Sequence, residues 1–270
     1  MRSSDYETWL ERLWQGDRRA AAKLISRVED NQSRVDIMSK ILPKSGERMV
    51  LGITGPPGAG KSSLVGAITQ LYREQNEKVG IVAVDPSSPY TGGAILGDRI
   101  RMQSHSTDPG VFIRSMGTRG HLGGVARSAV DVLRILEVAG YERLILETVG
   151  VGQSELDIME LADTIIVVLN PGTGDGIQTI KAGIMEIADI FVVNKADLPG
   201  AERLKNDIEM VLDLNGEKPW RAPVVMTSTL DQRGLPELLG QIKLHQDFLV
   251  QSGKNLNAVN KSSLKKFGVI

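Results

Sequence analysis

The amino-acid sequence predicts an α/β protein with a mostly parallel central sheet flanked by helices. From residue 48 onward, seven short β-rich runs alternate with helical patterns. The apolar character of these runs is nearly continuous, which indicates strands buried on both faces, as in a parallel sheet covered by helices. Connections rich in Gly, Pro and Ser follow several of the runs. Ligands of open α/β sheets bind outside the carboxyl ends of the strands, so we expect the functional residues in these connections.

The seven predicted strands lie within one main domain, which we assign to residues 46–248. They are MVLGIT (49–54), VGIVAV (79–84), VFIRSM (111–116), RLILET (143–148), TIIVVLN (164–170), DIFVVN (189–194) and APVVMT (222–227).

The residues before the first strand predict an N-terminal helical extension over residues 1–45, packed on the main domain. Ser4 and Glu7 have the spacing of a capping box. A first helix is predicted from apolar side chains at helical spacing, namely Trp9, Leu10, Leu13 and Trp14. A second helix is predicted over residues 17–28. Residues 249–270 are predicted to form a polar C-terminal tail that is flexible or only partly helical.

The composition narrows the functional classes. The 270-residue chain has a formal net charge of −1, which provides no global field toward nucleic acid or a membrane surface. It contains no Cys, which excludes disulfides, thiolate metal sites and a cysteine nucleophile. The start, MRSSDYETWLERLW, lacks an apolar signal core, and no apolar run approaches membrane-spanning length. We therefore expect a cytoplasmic protein with neither a nucleic acid nor a membrane as its partner.

The segment GPPGAGKSS (55–63) predicts a phosphate-binding loop. It fits the P-loop pattern G-x-x-x-x-G-K-[ST], follows the first predicted strand and opens the helical run SLVGAITQLY. Its glycines let successive backbone N–H groups point inward around an anion, and the following helix adds its positive N-terminal end. Lys61 is expected to reach the β- and γ-phosphates, and the Ser62 hydroxyl to ligate Mg²⁺. Pro56 and Pro57 have no N–H and stiffen the entry of the loop.

The segment NKAD (194–197) predicts selectivity for guanine. It closes a predicted strand and lies about 135 residues after the P-loop. The Asp197 carboxylate can accept hydrogen bonds from N1–H and the exocyclic amine of guanine, whereas adenine offers an acceptor at N1, so adenine is rejected. Lys195 would lay its methylene stem over the base, and Asn194 would tie this loop to the P-loop. The next strand ends in MTSTL (226–230), where Ser228, Thr229 and Leu230 could add backbone donors to guanine O6.

Three acidic residues are candidates for magnesium and water handling. Asp85 and Glu147 end predicted strands, and Asp98 lies in the loop PSSPYTGGAILGDRIRM. A magnesium ion held by Ser62 and the phosphates would keep several waters, which carboxylates can receive. Glu is one methylene longer than Asp, so Glu147 suits an outer-shell or water-holding role.

Three glycine-rich loops follow predicted strands, as in proteins whose loops are ordered by the γ-phosphate and Mg²⁺ and released on hydrolysis. The first spans residues 86–98, the second contains Gly150, Gly152 and Gln153, and the third is NPGTGDGIQTIK (170–181). Gln153, or Glu147 through a water, would orient the attacking water. No arginine is clearly placed as a catalytic finger. Arg99, Arg101, Arg114 and Arg119 are candidates, but a solvated or structural role is favoured for each. We therefore expect slow intrinsic hydrolysis that a partner raises.

Six motifs together resemble the MeaB/ArgK family of GTPase chaperones that are associated with adenosylcobalamin-dependent methylmalonyl-CoA mutase. The motifs are GPPGAGKSS, VDPSSPYTGGAILGDRIRM, RGHLGG, ETVGVGQSE, GDGIQTIKAGIMEIAD and NKAD. The resemblance covers about residues 5–250. It implies a P-loop NTPase fold with an N-terminal helical extension, and GTP binding and hydrolysis that gate cofactor loading onto the mutase and protect or rescue that enzyme.

The resemblance also implies roles for individual residues. Asp85, Asp98 and Glu147 would surround Mg²⁺ with Ser62, and Lys181 would sit in a third switch. The guanine of GTP or GDP would contact Asn194, Lys195, Asp197 and residues 228–230, and the phosphates would contact Gly55, Pro56, Pro57, Gly58, Ala59, Gly60, Lys61, Ser62 and Ser63. The partners of this protein would be the mutase and that enzyme's adenosyltransferase. A homodimer is implied as well, although family members continue into a longer helical C-terminal arm where this chain has KSSLKKFGVI.

Three other functions remain open from the residues alone. One is a GTPase metallochaperone for a nickel enzyme, although such proteins hold metal with Cys and His, and His105, His121 and His245 are far apart in this sequence. The second is an ATPase linked to amino-acid transport, against which NKAD argues. The third is a nucleotide-locked scaffold that does not turn over.

Overall fold

The computed structural model describes residues 5–85, 105, 107–117, 122–148, 161–172, 184–214, 216 and 218–253. Within them lies a seven-stranded sheet with the order β3-β2-β4-β1-β5-β6-β7, in which every neighbouring pair is parallel. The predicted fold class is confirmed, because in this protein helices flank a parallel sheet and a helical extension precedes it.

Each of the seven predicted runs forms one strand. The strands are β1 (Val50–Thr54), β2 (Val79–Asp85), β3 (Val111–Gly117), β4 (Arg143–Thr148), β5 (Thr164–Leu169), β6 (Ile190–Val193) and β7 (Val224–Met226). The two central strands β1 and β4 are in register, with Ile53 beside Glu147. Every residue of β1 and of β6 is buried, in agreement with their continuous apolar sequences.

Eight α-helices lie in the described residues. They are α1 (Asp5–Trp14), α2 (Arg18–Glu29), α3 (Arg34–Ile41), α4 (Lys61–Glu74), α5 (Leu122–Val138), α6 (Ile184–Ile187), α7 (Ala201–Leu214) and α8 (Leu235–Gln251). The helix α2 begins after Asp17, whose carboxylate accepts hydrogen bonds from the backbone N–H groups of Arg19 and Ala20 and so caps the helix. The helix α3 completes the helical extension and is not among the helices predicted from the sequence.

The alternation of side chains along the strands divides the core between the two faces of the sheet. Leu51 and Ile53 point to the face that α4 and α8 cover. Val82 and Val84 point to the opposite face, where α5 and the helical extension pack in one continuous cluster. On that same face, α7 covers β5, β6 and β7 through a smaller cluster that contains Phe191. The extension thus shares the core of the main domain.

Two ion pairs join the extension to α5 and to β3. Arg34 of α3 donates two hydrogen bonds to Asp131 of α5, at 2.5 and 3.0 Å, and the Asp131 carboxyl is fully buried. Burial raises the pKa of Asp131, and the Arg34 guanidinium acts against that rise. Arg114 of β3 pairs with Glu29 of α2, with Nε 2.9 Å from Oε1. Removing Arg34 would leave the buried Asp131 carboxylate without this guanidinium, which is costly for a buried charge.

The carboxylate of Glu137 fixes the connection between the extension and β1. It accepts hydrogen bonds from the backbone N–H groups of residues 46, 47 and 48, at 2.7–2.9 Å, and from the Arg134 guanidinium at 2.9 Å. Beside it, Asp163 accepts a hydrogen bond of 2.7 Å from the backbone N–H of Val50, at the start of β1. These contacts anchor the amino-terminal end of the strand that leads into the P-loop.

Among the described residues, none of the helices combines the length and the apolar character needed to cross a bilayer.

Candidate functional site

The P-loop connects β1 to α4 at the carboxyl edge of the sheet. Gly55 and Gly60 adopt positive φ angles of 142° and 91°. A Cβ at Gly55 would lie 2.1 Å from the carbonyl oxygen of Val168, and one at Gly60 would lie 2.4 Å from Nδ2 of Asn194. Both positions therefore require glycine, because the loop passes directly against β5 and against the loop after β6.

Lys61 and Ser62 are the first two residues of α4, directly after the glycine-rich loop. The Lys61 ammonium donates hydrogen bonds to the carbonyl oxygens of Gly55, at 2.8 Å, and Pro56, at 3.1 Å, so it lies over its own loop. Both side chains are buried, at 6 and 8% exposure. The backbone N–H groups of the first turn of a helix have no partner within the helix and form a site for anions.

Glu147 meets Ser62 beneath the P-loop. The Ser62 hydroxyl donates a hydrogen bond of 2.7 Å to Oε1 of Glu147, and Glu147 is 1% exposed. The contact follows from the strand pattern, because Glu147 lies two residues after Ile145, which faces the α4 side of the sheet. Next to it, Thr148 donates a hydrogen bond of 3.0 Å to Thr54, which joins the carboxyl ends of β4 and β1. Hydroxyl and carboxylate oxygens are the ligand types that Mg²⁺ prefers, so this pair fits a magnesium site.

The loop after β6 is joined to the P-loop by Asn194. This side chain is 1% exposed and donates a hydrogen bond of 3.0 Å to the carbonyl oxygen of Ala59. Its Oδ1 accepts a hydrogen bond of 3.1 Å from the hydroxyl of Thr227, which follows β7. Lys195 adopts a left-handed φ of 56°, which is uncommon for a side chain other than Gly, Asn or Asp. The loops after β1, β6 and β7 thus form one connected unit.

Asp197 and Ser228 face each other in that unit. The Ser228 hydroxyl lies 2.9 Å from Oδ1 of Asp197 and 3.3 Å from Oδ2 of Asp231. Ser228 is fully buried, whereas Leu230 is 84% exposed. The sequence predicts only a backbone role for Ser228, whereas its hydroxyl also fixes the orientation of Asp197. Thr227 is not among the predicted site residues, because its only signal in the sequence is its place at the end of a predicted strand.

Several predicted site residues lie outside the described part of the chain. They are Asp98, Gly150, Gly152, Gln153 and Lys181, together with Arg99, Arg101 and Arg119. Asp85 is the last residue of β2, beside Gly117 of β3, and its side chain is also outside the described part. Of the four candidate arginines, Arg114 forms the ion pair with Glu29 described above, which is a structural role.

A parallel sheet with this order, a glycine-rich loop after β1 and a lysine and serine at the start of α4 define a P-loop NTPase. The chain is similar to a protein whose crystal structure is described as a LAO/AO transport system kinase, with 28% sequence identity and a TM-score of 0.81. The match covers 99% of this chain and 83% of that one.

The chain belongs to the MeaB family. The family model described as methylmalonyl Co-A mutase-associated GTPase MeaB matches residues 21–267. A protein of Pyrococcus abyssi, named provisionally as a GTPase, is 52% identical to this chain. The match extends over 250 residues, which cover 91% of this chain and 77% of that protein. The GTPase ArgK of Escherichia coli is 38% identical over 255 residues, with the same shares of coverage. The resemblance seen in the sequence motifs is therefore confirmed, and the chain is a P-loop GTPase of this family.

Proposed function

We propose that this protein binds GTP with Mg²⁺ and hydrolyses it slowly, as a chaperone of a cobalamin-dependent acyl-CoA mutase. In this role it gates the loading of adenosylcobalamin and protects or reactivates the mutase, of which methylmalonyl-CoA mutase is the expected representative. The mutase-associated description of the family supports the choice of partner. We also propose that the protein acts in the cytoplasm as a homodimer, and that the adenosyltransferase of the mutase is a further partner.

One observation carries the nucleotide part of the proposal, the hydrogen bond from Asn194 to the Ala59 carbonyl. This bond holds the loop that contains Asp197 directly against the P-loop. One nucleotide can therefore contact the P-loop with its phosphates and the other loop with its base. In this proposal the phosphates contact residues 55–63. The guanine contacts Asn194, Lys195, Asp197 and residues 228–230.

The chemistry consists of positioning and electrostatic stabilisation. Lys61 brings a positive charge to the β- and γ-phosphates. Ser62 would hold a magnesium ion, with Asp85, Asp98 and Glu147 around it, and the ion would neutralise phosphate charge when bound. The Glu147 carboxylate accepts the hydrogen bond that the Ser62 hydroxyl donates, which would leave the lone pairs of the Ser62 oxygen available to a cation. Gln153, or Glu147 through a water, orients the attacking water, and Gly150, Gly152 and Lys181 belong to the segments that respond to the γ-phosphate.

Affinity capture tests the choice of partner. The protein is immobilised, loaded with GTP or GDP, and incubated with an extract of its own cells, and the retained proteins are identified. We expect a cobalamin-dependent mutase to be retained, in amounts that differ between the two nucleotides. Recovery of no cobalamin enzyme under either load would overturn this assignment while leaving the GTPase assignment in place.

Phosphate release distinguishes the chaperone from a nucleotide-locked scaffold. We expect slow release from GTP by the protein alone and faster release when purified mutase is added. No release in either condition would favour the scaffold. A turnover above about 1 s⁻¹ without any partner, at the low end of common enzyme rates, would contradict partner-stimulated hydrolysis.

A further inference from the structure

A cavity lies at the amino-terminal edge of the sheet, at the opposite edge from the P-loop. Its volume is about 300 Å³, and it is bounded by the residues before β5 and β6, by residues 218–220 and by the last two turns of α8. We call it the Trp220 cavity. Its size falls at the lower end of the range for small-molecule sites, about 300–1,000 Å³. Nothing in the proposed GTPase chemistry uses it.

One wall of the Trp220 cavity is aromatic. The Trp220 ring centroid lies 4.8 Å from that of His245 and 5.3 Å from that of Phe248. The indole Nε1–H donates a hydrogen bond of 2.8 Å to the carbonyl oxygen of Asp189, which fixes the orientation of the ring. His245 is 2% exposed and lies 3.0 Å from the hydroxyl of Thr164 through Nδ1. The wall is therefore held in place from both sides.

The remaining charged groups of the cavity are mainly acidic. Asp163, Glu186 and Asp189 contribute three carboxyl groups, against one lysine, Lys218. Asp189 accepts a hydrogen bond of 2.8 Å from the backbone N–H of Ile165, and its other oxygen lies 3.3 Å from Nε2 of His245. Asp163 is only 9% exposed, and burial raises the pKa of its carboxyl to about 6. A positive charge placed in the cavity would offset the cost of keeping these groups ionised.

We propose that the Trp220 cavity binds a compact organic cation, an ammonium or quaternary ammonium group on a short apolar body. The aromatic faces attract a cation through their negative quadrupole, most strongly where water is excluded. The carboxylates add charge complementarity, and the side chains of Ala162, Ala188 and Leu249 accommodate the apolar body.

The site has a direct structural connection to the proposed nucleotide site. The strand β6 begins at Ile190, directly after Asp189 at the cavity, and ends at Val193, which Asn194 follows at the P-loop. The strand β5 runs beside it, from Thr164 to Leu169. Binding at the cavity is nonetheless a separate property, so it can be tested without any nucleotide.

Ligand-observed NMR on the full chain tests the proposal with three small probes. These are butylammonium and tetramethylammonium as cations and butan-1-ol as the neutral counterpart, each in the absence of nucleotide. We expect the two cations to bind with roughly millimolar dissociation constants, because so few atoms are available for contact. Butan-1-ol should bind at least about tenfold more weakly.

Two variants and one control locate the binding. Glu186→Gln changes an exposed rim carboxylate with little risk to folding, and Trp220→Leu removes the aromatic face. We expect cation binding to fall about threefold in the first, as for a partly solvated charge, and at least about tenfold in the second. Glu202→Gln, an exposed acid near the start of α7, should change nothing.

Three outcomes would overturn the proposal. They are equal binding of butan-1-ol and the cations, no binding of either cation by the unaltered protein, and an equal loss in Glu202→Gln and Glu186→Gln. Displacement of butylammonium by Mg²⁺ alone, in the absence of nucleotide, would also overturn it, because the cavity would then be a metal site. Failure of the GTPase proposal would instead appear as a lack of GDP binding, which these probes do not measure.

Discussion

At the scale of single residues, the contact between Ser62 and Glu147 gives the site its character. Glu147 is the penultimate residue of β4, where an aspartate, with its shorter reach, would also be compatible with the strand. Its extra methylene lets the carboxylate reach the Ser62 hydroxyl from within the buried end of the sheet. The proposal that Glu147 serves the metal and its water rather than the nucleotide as a whole follows from this position.

Replacing Glu147 should separate hydrolysis from nucleotide affinity. We expect Glu147→Ala to lower the rate of GTP hydrolysis by about 10²-fold or more, a loss typical of removing one electrostatic stabiliser. The concentration of Mg²⁺ needed for half-maximal activity should rise, while the dissociation constant of GDP without Mg²⁺ changes little. Phosphate-release kinetics and GDP titration measure the two effects. Equal losses in hydrolysis and in GDP affinity would instead indicate that Glu147 only stabilises the end of β4.

Replacing Asp197 should change which base is accepted. An Asn at this position keeps one acceptor but adds an amide donor, which matches the C2 carbonyl of xanthine and opposes the C2 amine of guanine. We therefore expect Asp197→Asn to weaken GTP binding by about 10²- to 10⁴-fold and to improve XTP binding. Competition titrations with GTP, XTP and ATP check this. Unchanged preference for GTP in this variant would refute the role of Asp197 in reading the base.

Asp163 predicts a pH-dependent stability. Burial raises the pKa of its carboxyl to about 6 in the folded protein from 3.8, so the folded protein holds this proton more tightly than the unfolded chain. The contribution to stability is therefore present below pH 4 and lost as the pH rises toward 6. Asp163→Asn, which keeps an acceptor for the Val50 N–H, should be more stable than the unaltered protein by about 2 kcal/mol above pH 7. The difference should shrink toward pH 4.5.

Urea unfolding at several pH values measures this difference. A variant that is destabilised to the same extent at pH 5 and pH 8 would show that the carboxylate of Asp163 is needed as an acceptor and that its ionisation has no cost.

The residues of the site differed in how far the sequence revealed them. Lys61 and Ser62 could be predicted because the geometry of a P-loop is local and its spacing fixes their positions. The bonds from Thr227 to Asn194 and from Ser228 to Asp197 span 33 and 31 residues. No local pattern encodes such contacts, because they arise only when β6 and β7 are placed side by side.

At the scale of elements, the strands were predictable and the helical extension only in part. The seven continuous apolar runs form seven parallel strands, because helices cover both faces of the sheet. The ends were less predictable, because Asp189 and Asn194 leave the β6 ladder to bind the Ile165 N–H and the Ala59 carbonyl. The helix α3 was missed because it has only eight residues, and its burial depends on contacts with α5 that are distant in sequence.

The Arg34–Asp131 pair should be a principal tie between α3 and α5. Arg34→Ala leaves the fully buried Asp131 carboxyl without this guanidinium, and we expect a loss of about 3 kcal/mol in the free energy of unfolding. Adding Asp131→Asn should restore more than about 1 kcal/mol, since the two changes interact in a double-mutant cycle. Arg203→Ala, in an exposed pair on α7 with N···O of 4.0 Å, is the matched control and should cost less than about 0.5 kcal/mol. Additive effects of the first two changes would contradict the coupling.

At the scale of the whole molecule, the sheet separates two ends with different chemistry. The carboxyl edge carries the P-loop, Glu147 and the loop with Asp197, whose mutual contacts support a guanine-nucleotide site. The amino edge carries the buried carboxylates of Glu137 and Asp163, which anchor β1, and the Trp220 cavity. The fold and family were predictable at this scale because several long motifs occur in a fixed order, whereas the identity of the partner rests on the family and requires experiment.

The measurement that tests the central claim most directly is phosphate release from GTP and from ATP, with Mg²⁺, in the presence and absence of the purified mutase. Release from GTP should be slow for the protein alone and faster with the mutase, and release from ATP should be negligible in both cases. Equal release from ATP and GTP, or no release from GTP even with the mutase present, would contradict the assignment as a partner-stimulated GTPase.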